Sequence, residues 1–280
     1  MPTVQVAWTD TPPTDRRLRV FDLEQPRTED MPVHPSHRPG YSYVLHRRHE
    51  DDYRPDEIGP RTGASGLIVC KEHSGTHIDA LCHQADNLTL YGDVKITPQV
   101  QTSRGFKQHA VEEIPPIIAP GVLLDMTAHF GVEELPPGYA VSAAELQACC
   151  ERQGVTIEPG DVVLVYLGNE RHWKDPERYL AGPGMAGNAS IWLAERKVQA
   201  VGADNMAWDV IDLFDEEVGS MLPGHLVLLA RSGIYIIENL QLAELAATKH
   251  YRFSFICTPL KFVGATGSPV RPVAVVSEPI

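Results

Sequence analysis

His73–Gln84 reads HSGTHIDALCHQ, which puts three histidines and an aspartate within twelve positions. His73, His77 and Asp79 stand at i, i+4 and i+6. On a helix His73 and His77 share a face, but Asp79 points well away from His73. In an extended strand every interval is even, so all three share one face. Gly75 falls on that face too and leaves space between the two imidazoles. Thr76 and Ile78 are β-branched and favour a strand, and the run GLIVC (66–70) just upstream has the same character. The spacing predicts an extended segment ending in a turn, with three ligands converging on one point. Two imidazoles and a carboxylate suit a catalytic Zn²⁺ or Mn²⁺ and leave coordination positions open. His83, past the turn, is a further ligand or a general acid/base. Among twelve histidines some crowding is expected, and a lone histidine near a strand is usually structural. The regular spacing around Gly-Thr sets this group apart.

Outward from that stretch, strands are expected at 41–47 (YSYVLHR), 66–70, 121–126, 161–167, 198–204, 225–230 (HLVLLA), 235–238, 251–258 and 270–277. These runs are rich in Val, Ile, Leu and aromatics and are bounded by Gly, Pro or Asp. Ser142 and Glu145 form a capping-box pair that opens a helix ending near Gly154. A second helix follows Asn188 through ASIWLAERK, and a third covers 240–249. Strands alternating with helices point to an α/β fold with a mixed sheet. Residues 24–40 carry four prolines and read as a long ordered loop. There is no internal repeat, low-complexity tract or clear linker. The reading is an N-terminal arm (1–18), mobile or packed on a partner subunit, followed by one domain (19–280).

Composition narrows the function. The chain has 280 residues, a formal net charge of −13 and a pI near 5.3. Such a surface repels a phosphate backbone, so nucleic acid is excluded as a partner. No apolar run is long enough to span a bilayer, and the N-terminus lacks an apolar signal core. The five cysteines are odd in number and form no C-x-x-C pair, which argues against a disulfide framework and for a reducing cytoplasm.

HSGTHIDALCH resembles the H-x-G-T-H-x-D-x-P-x-H signature of the metal-dependent cyclase family, which includes bacterial kynurenine formamidases and isatin hydrolases. Phe21-Asp22-Leu23 with Met31-Pro32-Val33, HLVLLARSGIYIIENL (225–240) and GATGSPVRPVAVV (264–276) extend the resemblance from residue 19 to 276. Leu81 replaces the signature's proline, which alters the turn but removes no ligand. Extra length near 84–120 and 168–190 points to a reshaped pocket. The resemblance implies a single α/β domain with a mixed, barrel-like sheet flanked by helices, assembled as a homodimer or homotetramer. It also implies that His73, His77 and Asp79 bind a first metal, with Asp79 bridging to a second that adds His225 and Glu238. Two zincs are expected in the formamidase branch and one Mn²⁺ in the isatin hydrolase branch.

The implied reaction is hydrolysis of an amide or lactam in a small, cyclic or aromatic acyl substrate. A bound divalent ion acidifies water, hydroxide attacks the acyl carbon, and His83 carries the proton to the leaving atom. Trp173, just past the strand at 161–167, is placed to stack on an aromatic substrate or to pack as an ordinary tryptophan. His109 reads as a solvated loop residue, Cys82 as a packing residue, and Asp204 as a strand-end carboxylate within reach of the site. Gly264 and Gly267 lack the strand-to-helix setting of a phosphate loop. Three rivals stay open: a lactone hydrolase with the same site, a non-catalytic metal-binding protein on this fold, and a closed structural metal staple.

Overall fold

The computed structural model describes residues 16–280. Most of the predicted arm lies outside the described residues. Its last three residues, Arg16–Leu18, already belong to a strand. Nine strands of the described residues make the main sheet: β1 (Arg16–Asp22), β2 (His77–Asp79), β3 (Ile117–Asp125), β4 (Val162–Tyr166), β5 (Ala200–Ala203), β6 (Tyr235–Glu238), β7 (Arg252–Cys257), β8 (Gly267–Pro269) and β9 (Val273–Pro279). Their spatial order is β1-β9-β7-β3-β4-β5-β6-β2-β8. The central run β3 to β6 is parallel. Antiparallel pairs flank it on both sides. The α/β domain with a mixed, curled, half-barrel sheet is as expected.

Alternation along the strands builds the core on both faces of this sheet. Leu123, Val162 and Leu164 join Phe21, Ile78, Ile237 and Phe255 on one face. Val122, Leu124, Val163 and Val165 turn the other way, against helix residues Leu146, Cys149, Leu193 and Leu228. Strands buried on both sides explain the continuous apolar runs of the central sequence. β7 shows the other pattern, with Phe253, Phe255 and Cys257 inward and Arg252 and Ser254 outward.

The helix Ala143–Gln153 carries the expected capping box, Ser142 with Glu145, and ends on Gly154 in the left-handed region. The helix expected after Asn188 begins one residue before it and spans Gly187–Glu195, and the third shrinks to Ala243–Ala247. One predicted strand is a helix. HLVLLA continues a turn begun at Pro223 into a π-helical segment, Leu226–Ser232, capped by Gly233. A six-residue apolar run cannot distinguish a buried strand from a buried helix by periodicity. Here Pro223 at the first helical position and burial of Leu228 and Leu229 against the helix-side core decide for the helix. None of the described helices is long and apolar enough to cross a membrane.

The strands at 41–47 and 65–70 form a separate antiparallel ribbon. Tyr43, Val44, Leu45, Leu67, Ile68 and Val69 on it are exposed.

Candidate metal centre

The decisive stretch divides differently from its predicted form. Only His77–Asp79 is a strand. His73 sits in the turn before it, because Gly75 takes a φ of +61° and reverses the chain. Gly75 therefore does not clear space between two imidazoles on a strand face. A Cβ there would lie 2.6 Å from Arg27 Nη1. That close approach lets the Arg27 guanidinium donate to the carbonyls of Ser74 and Thr76 and staple the turn. Ser74 Oγ donates to Lys71 O and Gly40 O. Thr76 Oγ1 donates to Asn239 O at 2.6 Å and accepts from Gln25 N at 2.9 Å. Each residue of the Ser-Gly-Thr insert thus has a backbone to hold.

The turn and the strand bring His73, His77 and Asp79 together, though not on one strand face as the spacing predicted. His73 Nδ1 lies 2.7 Å from Asp79 Oδ1, and His77 Nε2 lies 3.4 Å from the same oxygen. Pairing of β2 with β6 sets His77 opposite Glu238, with Nε2 to Oε2 at 3.3 Å. His225, at the head of the helix that replaced the predicted strand, brings Nε2 to 3.5 Å from Asp79 Oδ2 and 3.2 Å from Glu238 Oε1. His83 stacks on His73, with ring centroids 3.9 Å apart. Two donor trios emerge, His73–Asp79–His83 and His77–Asp79–Glu238, and Asp79 belongs to both.

The electrostatics of this cluster call for a cation. Asp79 is fully buried and Glu238 nearly so. Asp79 Oδ2 and Glu238 Oε1 have no hydrogen-bond partner, although His225 Nε2 is near both. Close but misaligned donors and acceptors fit groups aimed at a shared point, not at one another. Buried carboxylate oxygens without partners cost on the order of several kcal/mol per ion unless opposite charge is supplied. Burial opposes charging of His77, yet its bond to Asp79 and the charges of Glu238 and Asp79 raise its pKa. Burial likewise opposes charging of His225, but Asp209, Asp79 and Glu238 raise its pKa well above the usual value. Asp79 is pushed the other way: burial would raise its pKa, but His83 and His73 hold it well below the carboxylate range. The donor set, its sharing of one carboxylate and its orphaned oxygens all fit a divalent ion, or two.

Supporting residues escaped the sequence reading. Asp209 Oδ2 accepts from His225 Nδ1 at 2.8 Å, and its carboxylate also takes Gly224 N and His225 N. His77 Nδ1 is held by Gly75 O at 2.8 Å. In both rings the outer nitrogen is engaged and Nε2 faces the cluster, which is how protein groups orient histidine ligands. Asn239, at positive φ, donates to Gly75 O and accepts from Tyr179 Oη. A cavity of about 190 Å³ opens over the cluster. His34, Ser36, His37 and Gln84 line it beside the clustered histidines, and Met206, Ala207 and Leu222 supply its apolar side. Burial and the neighbouring charge of His73 push His37 down to about 4. The sequence signal at His34 and His37 is only their i, i+3 spacing inside a proline-rich loop.

The remaining candidates fall elsewhere. Trp173 is buried against Met31, Val33, Tyr179 and Met206 and donates Nε1–H to Pro26 O. Met206 of that cluster lines the cavity, and Trp173 does not. Asp204 is buried and accepts from Leu167 N and Glu170 N. His109 bonds Tyr91 O. Burial pushes the Cys82 thiol up to about 12, which leaves it a packing residue.

The Cyclase family model matches residues 21–210. A kynurenine formamidase from Bacillus thuringiensis subsp. konkukian (strain 97-27) is 25% identical over 90% of this chain and 95% of its own length. Among solved structures, a novel cyclase superposes with a TM-score of 0.80 at 27% identity, covering 91% of this chain and 86% of the other. Isatin hydrolase A from Ralstonia solanacearum follows the same fold with a TM-score of 0.67 at 24% identity, covering 92% of each chain.

Proposed function

The chain belongs to the cyclase family, and from that premise we propose that it is a metal-dependent hydrolase cleaving an amide or lactam C–N bond. The observation that carries this reading is the pair of buried, unpartnered oxygens, Asp79 Oδ2 and Glu238 Oε1, at the meeting point of His73, His77, His83 and His225. A relative named for a formamidase supports an amide as the bond cleaved.

His77, Asp79, Glu238 and His225 would hold one divalent ion, Zn²⁺ or Mn²⁺, and His73, Asp79 and His83 a second. When bound, such ions supply Lewis acidity and water acidified toward neutrality. The chain's own groups do the remaining work. Asp79 stays ionised and ties the two donor sets together. Asp209 and Gly75 O hold the His225 and His77 rings in their ligating orientation. Burial holds the His83 pKa well below its usual value, so the ring is a neutral base at the cavity wall. With the second set empty, His83 is free to carry a proton to the leaving nitrogen. With it filled, His83 becomes a ligand. Met206, Ala207 and Leu222 shield the apolar side of the substrate from water.

We also infer a homo-oligomer. The ribbon at 41–47 and 65–70 exposes apolar side chains on both faces. A free two-stranded ribbon is marginal in water, and a contiguous apolar patch of that kind marks a contact surface.

The functional test is hydrolysis of an aryl formamide and of a five-membered cyclic amide by Zn²⁺- or Mn²⁺-replete protein, beside His77→Ala. Turnover abolished in the variant supports the reading. Wild-type protein that binds neither metal more tightly than His77→Ala sinks it.

A further inference from the structure

The histidine at position 37 plays no part in the donor sets above, yet it stands over them. Its ring centroid lies 5.0 Å from that of His73 and 6.3 Å from that of His83, and it lines the cavity. Neither of the two donor trios includes it. Its neighbour His34 is committed locally, with Nδ1 held at 2.6 Å from Ser36 Oγ. The ring nitrogens of His37 make no hydrogen bond among the described residues. A half-buried imidazole with both nitrogens open, aimed into a cavity, points to a hydrogen-bonding ligand.

The segment that carries it is fixed at both ends. Met31 and Val33 are buried in the cluster with Trp173, Tyr179 and Met206. Gly40 O accepts from Lys71 N at 2.8 Å and from Ser74 Oγ at 3.1 Å. A side chain at Gly40 would put its Cβ 2.3 Å from Val33 Cγ2, so the glycine lets the two anchors close on each other. Between them Pro35 opens a single 3₁₀ turn, Pro35–His37. The loop is thus tied to the very turn that carries His73, and His37 is presented without a large ordering cost.

The chemistry of the walls narrows what His37 meets. Among the described residues no lysine or arginine lines the cavity. Its polar side is His34, Ser36, His37 and Gln84, and its apolar side is Met206, Ala207 and Leu222. A volume near 190 Å³ compares with the roughly 150 Å³ that accepts benzene in an engineered cavity, so about one ring fits.

Building on the hydrolase reading, we propose that His37 is a specificity residue. It hydrogen-bonds an uncharged polar group, an amide N–H or a second carbonyl, that flanks the scissile acyl carbon of a substrate about one ring in size.

The test uses acetohydroxamic acid and benzohydroxamic acid, small neutral acyl probes that grip a divalent site. Their Kd values are measured by calorimetry on protein as purified, for wild type, His37→Ala and His37→Gln, with metal content read by inductively coupled plasma mass spectrometry. The expected result is a Kd for both probes raised about tenfold in His37→Ala, the worth of one hydrogen bond. Partial recovery in His37→Gln and unchanged metal content complete it. Metal retained with an unchanged Kd overturns the proposal alone. Metal lost in His37→Ala also overturns it, by making His37 a ligand. Wild-type protein that holds no metal and binds neither probe overturns the hydrolase reading, and this inference with it.

Discussion

His77 and Glu238 are direct cross-strand partners, with Nε2 and Oε2 3.3 Å apart in the antiparallel pairing of β2 with β6. The register of two sheet strands therefore sets one side of the candidate metal centre, and no loop has to be ordered to assemble it. Replacing Glu238 with Gln keeps the shape and removes the charge. The expected outcome is loss of the ion held by His77, Asp79 and His225, and a fall in turnover of at least about a hundredfold, the scale seen when a group stabilising transition-state charge is removed. His83→Ala should keep that ion and lose turnover. Metal analysis of the two variants checks both. A full metal complement in Glu238→Gln would remove Glu238 from the ligand set.

Much of this was legible in the chain because short-range spacing controls it. His73, His77 and Asp79 are close enough in sequence to meet, but they do so through a turn at Gly75 before a three-residue strand and not through a shared strand face. The capping box at Ser142 and Glu145 is a four-residue signal. Where the reading failed, the deciding contacts were distant in sequence. Gly75 answers to Arg27, some fifty residues upstream. Asp209 has meaning only once the segment after Pro223 is a helix and His225 comes within 2.8 Å. The run HLVLLA has no period to separate strand from helix, and burial against the sheet settled it. The spacing of His34 and His37 says little by itself, because the placement of His37 over the cluster depends on the anchoring of a proline-rich loop at Val33 and Gly40. Trp173 could be placed near the end of a strand, but the direction of its ring is fixed by Pro26 O and Tyr179.

Asp209 does not line the cavity, yet its carboxylate accepts from His225 Nδ1 and so fixes the ring's orientation. Asp209→Asn should weaken metal binding about 10- to 100-fold, the usual effect of removing such an outer partner, with the fold intact by circular dichroism. Competition with a chelator of known affinity measures it. An unchanged metal affinity would show that His225 needs no orienting carboxylate, or is not a ligand.

Buried Asp204 and half-buried Glu170 form a second acidic pair, outside the donor sets. Glu170 Oε2 accepts from Leu242 N and Ala243 N, at the start of the helix Ala243–Ala247. Burial first, and then the Asp204 charge, push Glu170 up to about 7. Burial pushes Asp204 up to about 6. Both folded-state values lie above the unfolded ones, so the native state holds protons more tightly. The stability this contributes is present below about pH 4, where the unfolded groups titrate, and is lost as pH rises through 6 to 7. Glu170→Gln should remove most of that slope. Its Tm should exceed that of wild type at pH 8 by a few degrees, about what 1 kcal/mol gives in a chain of this size, and approach it near pH 4. Parallel melting curves for the two proteins across this range would refute the assignment.

The ribbon provides the last prediction. Tyr43 pairs with Ile68 and Val44 with Leu67, so successive apolar side chains point to opposite faces, and Ile68 is 63% exposed. A monomer would leave both faces in water. Against a second copy, each buried aliphatic side chain contributes on the order of 1.5–3 kcal/mol. Ile68→Lys places a charge in that contact, while in an isolated subunit a surface change of this kind moves stability by only about 0.5 kcal/mol. Sedimentation should show wild type as a dimer or larger at micromolar concentration and Ile68→Lys shifted toward monomer, with the melting temperature at high dilution little changed. The ribbon runs into the metal-bearing turn, since Cys70 closes its second strand and Lys71 N binds Gly40 O. Dissociation should therefore also lower turnover. A wild type that sediments as a monomer would assign the apolar ribbon to some other contact.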